Sequence, residues 1–149
     1  MKTLRRIMLV EDNLNDIDLT LAALEEHHLA NEIVVARDGA EALDYLHRRG
    51  KFADRGDEVP AVILLDIKMP KVSGLEVLRQ MKADSTLRHI PVVMLTSSRE
   101  EPDLAASYKL GANAYVVKPV DFQQFVDAVK QVGGFWAVIN EPPPHNSLQ

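Results

Sequence analysis

Val62-Ile63-Leu64-Leu65-Asp66-Ile67-Lys68-Met69-Pro70 is a short apolar run that stops at a carboxylate. It shows no alternation of apolar and polar residues, the pattern of a strand buried on both faces of a parallel sheet. Three similar runs occur, at Ile7-Met8-Leu9-Val10, Val92-Val93-Met94-Leu95 and Tyr115-Val116-Val117, with a weaker one at Ile33-Val34-Val35-Ala36. Helical spacing separates them. Ile17, Leu21 and Leu24 form one stripe. Leu43 and Leu46 form a second after the turn signal Asp38-Gly39, and Leu75, Leu78 and Met81 a third near Ser73-Gly74. Leu104, Ala105 and Tyr108 mark a fourth, with Pro102 near its start, where a missing N–H costs least. Phe122, Phe125, Val126 and Val129 give the fifth and most regular stripe.

Strict alternation of five strands and five helices calls for an α/β fold, a doubly wound parallel sheet with right-handed crossovers. The longest polar connection, Gly50 to Pro60, reads as a surface loop before the third strand. Residues 1–132 are expected to form one domain, followed by an extension, 133–149, that carries Phe135-Trp136 and Pro142-Pro143-Pro144. A length of 149 residues suits a single domain. The formal charge of -5 disfavours nucleic acid and anionic membrane surfaces as partners, since both need a basic face. Zero cysteines remove disulfides, thiolate metal sites and cysteine nucleophiles, and the five histidines lack metal-ligand spacing. No apolar run approaches a membrane span or a secretory signal, so a cytoplasmic location is expected.

The residues that follow the apolar runs are Glu11-Asp12, Asp66, Thr96-Ser97-Ser98 and Lys118-Pro119. Ligands of open parallel sheets bind outside the carboxyl ends of the strands. With strands ~4.8 Å apart, a central third strand flanked by the first and fourth would bring Asp12, Asp66 and Thr96 together, with Lys118 reaching in. Crowded carboxylates repel, and a hard cation such as Mg²⁺ relieves that repulsion. Asp66 then has the makings of a nucleophile toward phosphorus, with Thr96 and Lys118 placed to meet phosphoryl oxygens. Ser97 or Ser98 is also expected to cap the fourth helix.

These motifs resemble the receiver domain of two-component response regulators. The resemblance covers about residues 5 to 132 and rests on Glu11-Asp12, Leu65-Asp66-Ile67-Lys68-Met69-Pro70, Gly74, Thr96-Ser97, Gly111-Ala112 and Lys118-Pro119. It implies a flavodoxin-like (βα)5 sheet of order 2-1-3-4-5, with Asp66 as phosphoacceptor for a histidine kinase or a small phosphodonor. It implies further that Asp12 and Asp66 ligate Mg²⁺, with Glu11 acting through water and the backbone carbonyl of Lys68 as an added ligand. Thr96 and Tyr115 would be a switch pair, Lys118 an ion-pair partner of the phosphoryl group, and the Lys118–Pro119 bond cis. Output would pass through the face of the fourth helix, fifth strand and fifth helix to a protein partner or a phosphorelay, as a signalling domain rather than an enzyme.

The loop from Lys51-Phe52-Ala53 to Pro60 and the pair Phe135-Trp136 are similar to those of regulators paired with phytochrome kinases. That likeness implies a homodimer built partly by the extension, although Trp136 could equally pin the tail to its own domain. The rival reading is a phosphatase with an aspartate nucleophile. Such enzymes carry Asp-x-Asp, and Lys68 stands where the second acid belongs.

Overall fold

The computed structural model describes residues 6–25, 32–56, 59–98, 100–112 and 114–132. The strands are β1 (Arg6–Val10), β2 (Glu32–Ala36), β3 (Val62–Asp66), β4 (Val92–Thr96) and β5 (Ala114–Val117). The helices are α1 (Leu14–Glu25), α2 (Gly39–His47), α3 (Gly74–Ala83), α4 (Pro102–Lys109) and α5 (Phe122–Val132). All four strand pairings are parallel and the order is β2-β1-β3-β4-β5. This is the expected flavodoxin-like sheet. The extension 133–149, with Phe135-Trp136, lies outside the described residues.

The apolar runs conceal a strict division of labour. Met8, Val10, Ile63, Leu65, Val92 and Met94 face the layer of α2, α3 and α4. Their neighbours Ile7, Leu9, Val62, Leu64, Val93 and Leu95 face α1 and α5. Every residue of β3 and β4 is buried, whereas edge strand β5 alternates buried and half-buried positions. Each such Leu, Ile or Val removed from water contributes roughly 1.5–3 kcal/mol before entropy is charged against it. Among the described residues no helix is long and apolar enough to cross a membrane.

Two helices present a different face from the one their spacing suggested. On α3 the inward residues are Gly74, Val77, Leu78 and Met81, while Leu75 is only half-buried. The reason is Gly74, whose amide donates to the Ile67 carbonyl at 2.9 Å, so that the helix starts hard against the end of β3. A Cβ at Gly74 would lie 2.1 Å from the Asp66 carbonyl oxygen. On α4, Leu104 and Ser107 point inward, and Ala105 and Tyr108 point out. Ser107 tolerates full burial because its hydroxyl donates to the Leu104 carbonyl at 2.6 Å. The cap of α4 is Glu101, not Ser97 or Ser98: its carboxylate accepts from the Asp103 N–H, and Pro102 fixes the start one residue later.

The connection before β3 is also more than a surface loop. A 3-10 turn at Gly50–Phe52 sets the Phe52 ring edge-on to Tyr45, 5.1 Å between centroids. The Arg55 guanidinium stacks 4.2 Å over Tyr45 and donates to the Tyr45 and Leu46 carbonyls at the end of α2, adding to the Arg48 N–H that the Tyr45 carbonyl already accepts.

Gly74→Ala is expected to destabilise the domain by about 2 kcal/mol or more in urea unfolding, because backbone has to move to admit the methyl group. Gly56→Ala, where an added Cβ meets nothing within 4 Å, should stay within about 0.5 kcal/mol of the parent.

Candidate functional site

β3 is central, β1 and β4 are its neighbours, and the register aligns their carboxyl ends. Val10 pairs with Leu65, Asp66 with Leu95, and Thr96 with Val117. Backbone bonds extend this alignment past the strands: the Glu11 N–H donates to Ala36, the Ile67 N–H to Leu95 and the Lys118 N–H to Thr96. The sheet therefore delivers Glu11, Asp12, Asp66, Thr96 and Lys118 to one crevice, as their positions after the apolar runs suggested.

Carboxylate oxygens of Glu11, Asp12 and Asp66 all lie within 4.8 Å of one another. Glu11 and Asp66 are buried, at 1% and 5% exposure, and Asp12 is the more accessible member. Three oxygen donors so placed fit a small hard cation. Glu11 is already engaged on both oxygens, by the Lys118 ammonium at 2.9 Å and by the Asn13 N–H at 3.1 Å. That leaves Asp12 and Asp66 as the direct carboxylate donors and suits Glu11 to a role through water. Lys68 borders the same crevice, and its carbonyl accepts no hydrogen bond from the described residues.

Lys118 Nζ stands 2.9 Å from Glu11, 3.2 Å from Asp66 and 3.3 Å from Asp16. Burial pushes the Asp66 carboxyl up to about 7, the Glu11 charge adds to the rise, and Lys118 opposes it. For Lys118, burial alone would lower the pKa, but the hydrogen bond to Glu11 and the charge of Asp66 outweigh it and the ammonium is held more tightly than usual. The Lys118–Pro119 peptide bond is cis.

Thr96 is buried, and its hydroxyl donates to the Ser98 carbonyl at 2.8 Å, toward the loop that leads to α4. The cavity beside it, about 90 Å³, is bordered by Asp66, Lys68, Thr96, Ser97, Glu101 and Lys118. Across its mouth the Lys68 ammonium meets the Glu101 carboxylate at 3.2 Å. Tyr115 is half-buried on β5, its ring edge-on to Tyr108 of α4 at 6.4 Å. It also borders a groove of about 190 Å³ with Gln124, Asp127 and Gln131 of α5. Asp16 and Glu101 were not singled out by motif. Asp16 sits in the first turn of a helix, where an acid is ordinary, so only its distance to Lys118 distinguishes it.

A family model described as the response regulator receiver domain matches residues 7–130. Probable methanogenesis regulatory protein FilR2 of Methanothrix harundinacea is 40% identical over 139 residues, 92% of this chain and 86% of that protein. Response regulator Rcp1 of Synechocystis is 36% identical over 130 residues, 87% of each chain. Among solved structures, the bacteriophytochrome response regulator AtBRR is 62% identical with a TM-score of 0.86, covering 94% of this chain and all of that one. The Mn(2+)-bound form of Rcp1 is 34% identical with a TM-score of 0.72, covering 94% of this chain and 99% of that one.

Burial gives the site a pH signature. A carboxyl whose folded pKa is raised costs nothing below its ordinary value of 3.8 and weakens the fold as pH rises through about 7. Relative to its value at pH 4, the stability of Asp66→Asn measured in EDTA at pH 8 should exceed that of the parent by about 1–3 kcal/mol. A difference that does not change between the two pH values would contradict the burial account of Asp66.

Proposed function

Since this chain belongs to the response regulator receiver family, we propose that it is a phosphorylation switch whose phosphoacceptor is Asp66. The observation that carries this reading is convergence: at the end of the central strand, a buried carboxylate faces an ammonium and two further acids. Asp66 supplies the nucleophile. One of its oxygens bonds to phosphorus as the P–N bond of a phosphohistidine breaks, and the departing imidazole keeps the electron pair and takes up a proton. Lys118 holds charge on the phosphoryl oxygens, and the Thr96 hydroxyl is close enough to turn from Ser98 toward them.

A divalent cation, which we take to be Mg²⁺, would supply the positive charge that keeps Asp66 ionised. Asp12, Asp66 and the Lys68 carbonyl would hold it, with Glu11 acting through water. All the donors are oxygens, which favours Mg²⁺ or Mn²⁺ over a softer metal. The phosphatase reading has no support in the site, because Lys68 offers an ammonium tied to Glu101 where a second acid would be needed.

The donor in this reading is a histidine kinase in the cytoplasm. The 62% identity to a bacteriophytochrome response regulator makes a phytochrome kinase our choice. Release of the Thr96 hydroxyl from Ser98 frees the start of α4, and Tyr115, between Tyr108 and the α5 groove, transmits the change. We assign the output to this α4-β5-α5 face, which would build a homodimer together with the extension 133–149.

Incubation with acetyl phosphate and Mg²⁺ should add one phosphoryl group to the peptide containing Asp66, detected by mass spectrometry. The label should be lost in EDTA and in Asp66→Asn. A label on another side chain would overturn the assignment. Beryllofluoride, an acyl-phosphate mimic, should shift the protein toward a dimer in analytical ultracentrifugation, and an unchanged sedimentation coefficient would remove the dimer from the proposal. Lys118→Arg should still accept label yet show no such shift.

A further inference from the structure

Lys118 has three N–H donors; it hydrogen-bonds to Glu11 and Asp16 and forms an ion pair with Asp66 at 3.2 Å. A phosphoryl oxygen arriving on Asp66 therefore meets an ammonium ringed by three acids and has to compete with them for it. One of them has to give way. Glu11 is buried, with its other oxygen held by the Asn13 N–H, so setting it free would strand a charge away from water. Asp66 carries the new group. Asp16 is 28% exposed in its side chain and can return to solvent at little cost.

Local helix structure leaves Asp16 free for this part. Its own N–H donates to the Asn13 side chain at 2.9 Å, so Asn13 caps α1 and Asp16 is the third helical residue. An acid at that position commonly reaches back to the N–H of the capping residue. Here Glu11 has taken that N–H, and the Asp16 carboxylate extends to Lys118 instead. The helix cap is complete without it.

We propose that Asp16 is a positioning residue that parks Lys118 in the unphosphorylated state and yields it to the incoming phosphoryl group. It acts as a built-in competitor, setting how readily the switch is thrown. The inference rests on Asp66 as phosphoacceptor and Lys118 as its counter-ion. Removing the competitor favours the phosphorylated form, opposite in sign to the effect of damaging the site. A part-buried ion pair at the rim of the site is worth about a two- to fivefold change or more in an equilibrium constant.

The test is beryllofluoride affinity by calorimetry, in Mg²⁺, for the parent, Asp16→Asn and Asp18→Asn. Asp18 is an exposed acid on the same helix and controls for net charge. Asp16→Asn should bind about two- to fivefold more tightly, with Asp18→Asn unchanged and Asp16→Glu restoring the parent value. In the unliganded protein the Lys118 Nζ resonance should move in Asp16→Asn and not in Asp18→Asn. Equal or weaker binding by Asp16→Asn, or equal tightening by both variants, would overturn the inference. Failure of the parent itself to bind would instead count against the phosphoacceptor reading.

Discussion

A single ammonium set among carboxylates governs this molecule. Lys118, Glu11 and Asp66 are each largely withdrawn from water, and the three together do not balance in charge. Two buried acids against one cation leave an excess of negative charge that the fold has to carry, and burial, with the Glu11 charge added, raises the pKa of Asp66. Such an arrangement weakens a protein in isolation and is useful only if something positive arrives. In the proposed function a hard cation would do so, and the phosphoryl group taken up by Asp66 would bring further negative charge for that cation and Lys118 to meet. The tension at the site and its reactivity have the same physical origin.

The sheet makes that tension sustainable. Four strands end in register at the crevice, and the central strands β3 and β4 are buried along their whole length. Rigid apolar packing on both faces keeps Asp66 from relaxing into solvent. Gly74 contributes as directly as any charged residue, because its missing side chain lets α3 begin against the Asp66 carbonyl. From the site, Thr96 leads through Ser98 to the start of α4, and the Tyr108–Tyr115 contact leads on to the groove beside α5. In the proposed switch a small movement of one hydroxyl would reach a surface with exposed aromatic area.

Much of this was legible in the sequence because parallel strands buried on both faces leave an unmistakable trace. Val62-Ile63-Leu64-Leu65 and its counterparts have no polar face to present, and the polar residue that ends each run marks the crevice. Helical faces were harder. The spacing points Leu75 inward, yet it is half-buried, and Ala105 and Tyr108 turn outward, because the rotation of α3 and α4 depends on what each helix meets at its start. Phe52 and Arg55 were part of a polar connection in the sequence, and only the Tyr45 ring across from them reveals a docked turn.

The order of strands and helices, the deep burial of β3, and the gathering of Glu11, Asp12, Asp66, Thr96 and Lys118 at one end of the sheet were determined by the sequence alone. Apolar periodicity and chain alternation are local properties, and strand adjacency converts them into position. Which carboxylates share Lys118 was decided by the tertiary structure, since Asp16 and Lys118 are 102 residues apart and meet only because the first turn of α1 and the residue after β5 border the same crevice. So too was the commitment of the Asn13 N–H to Glu11 rather than to Asp16, a choice between two acids that leaves no mark on spacing.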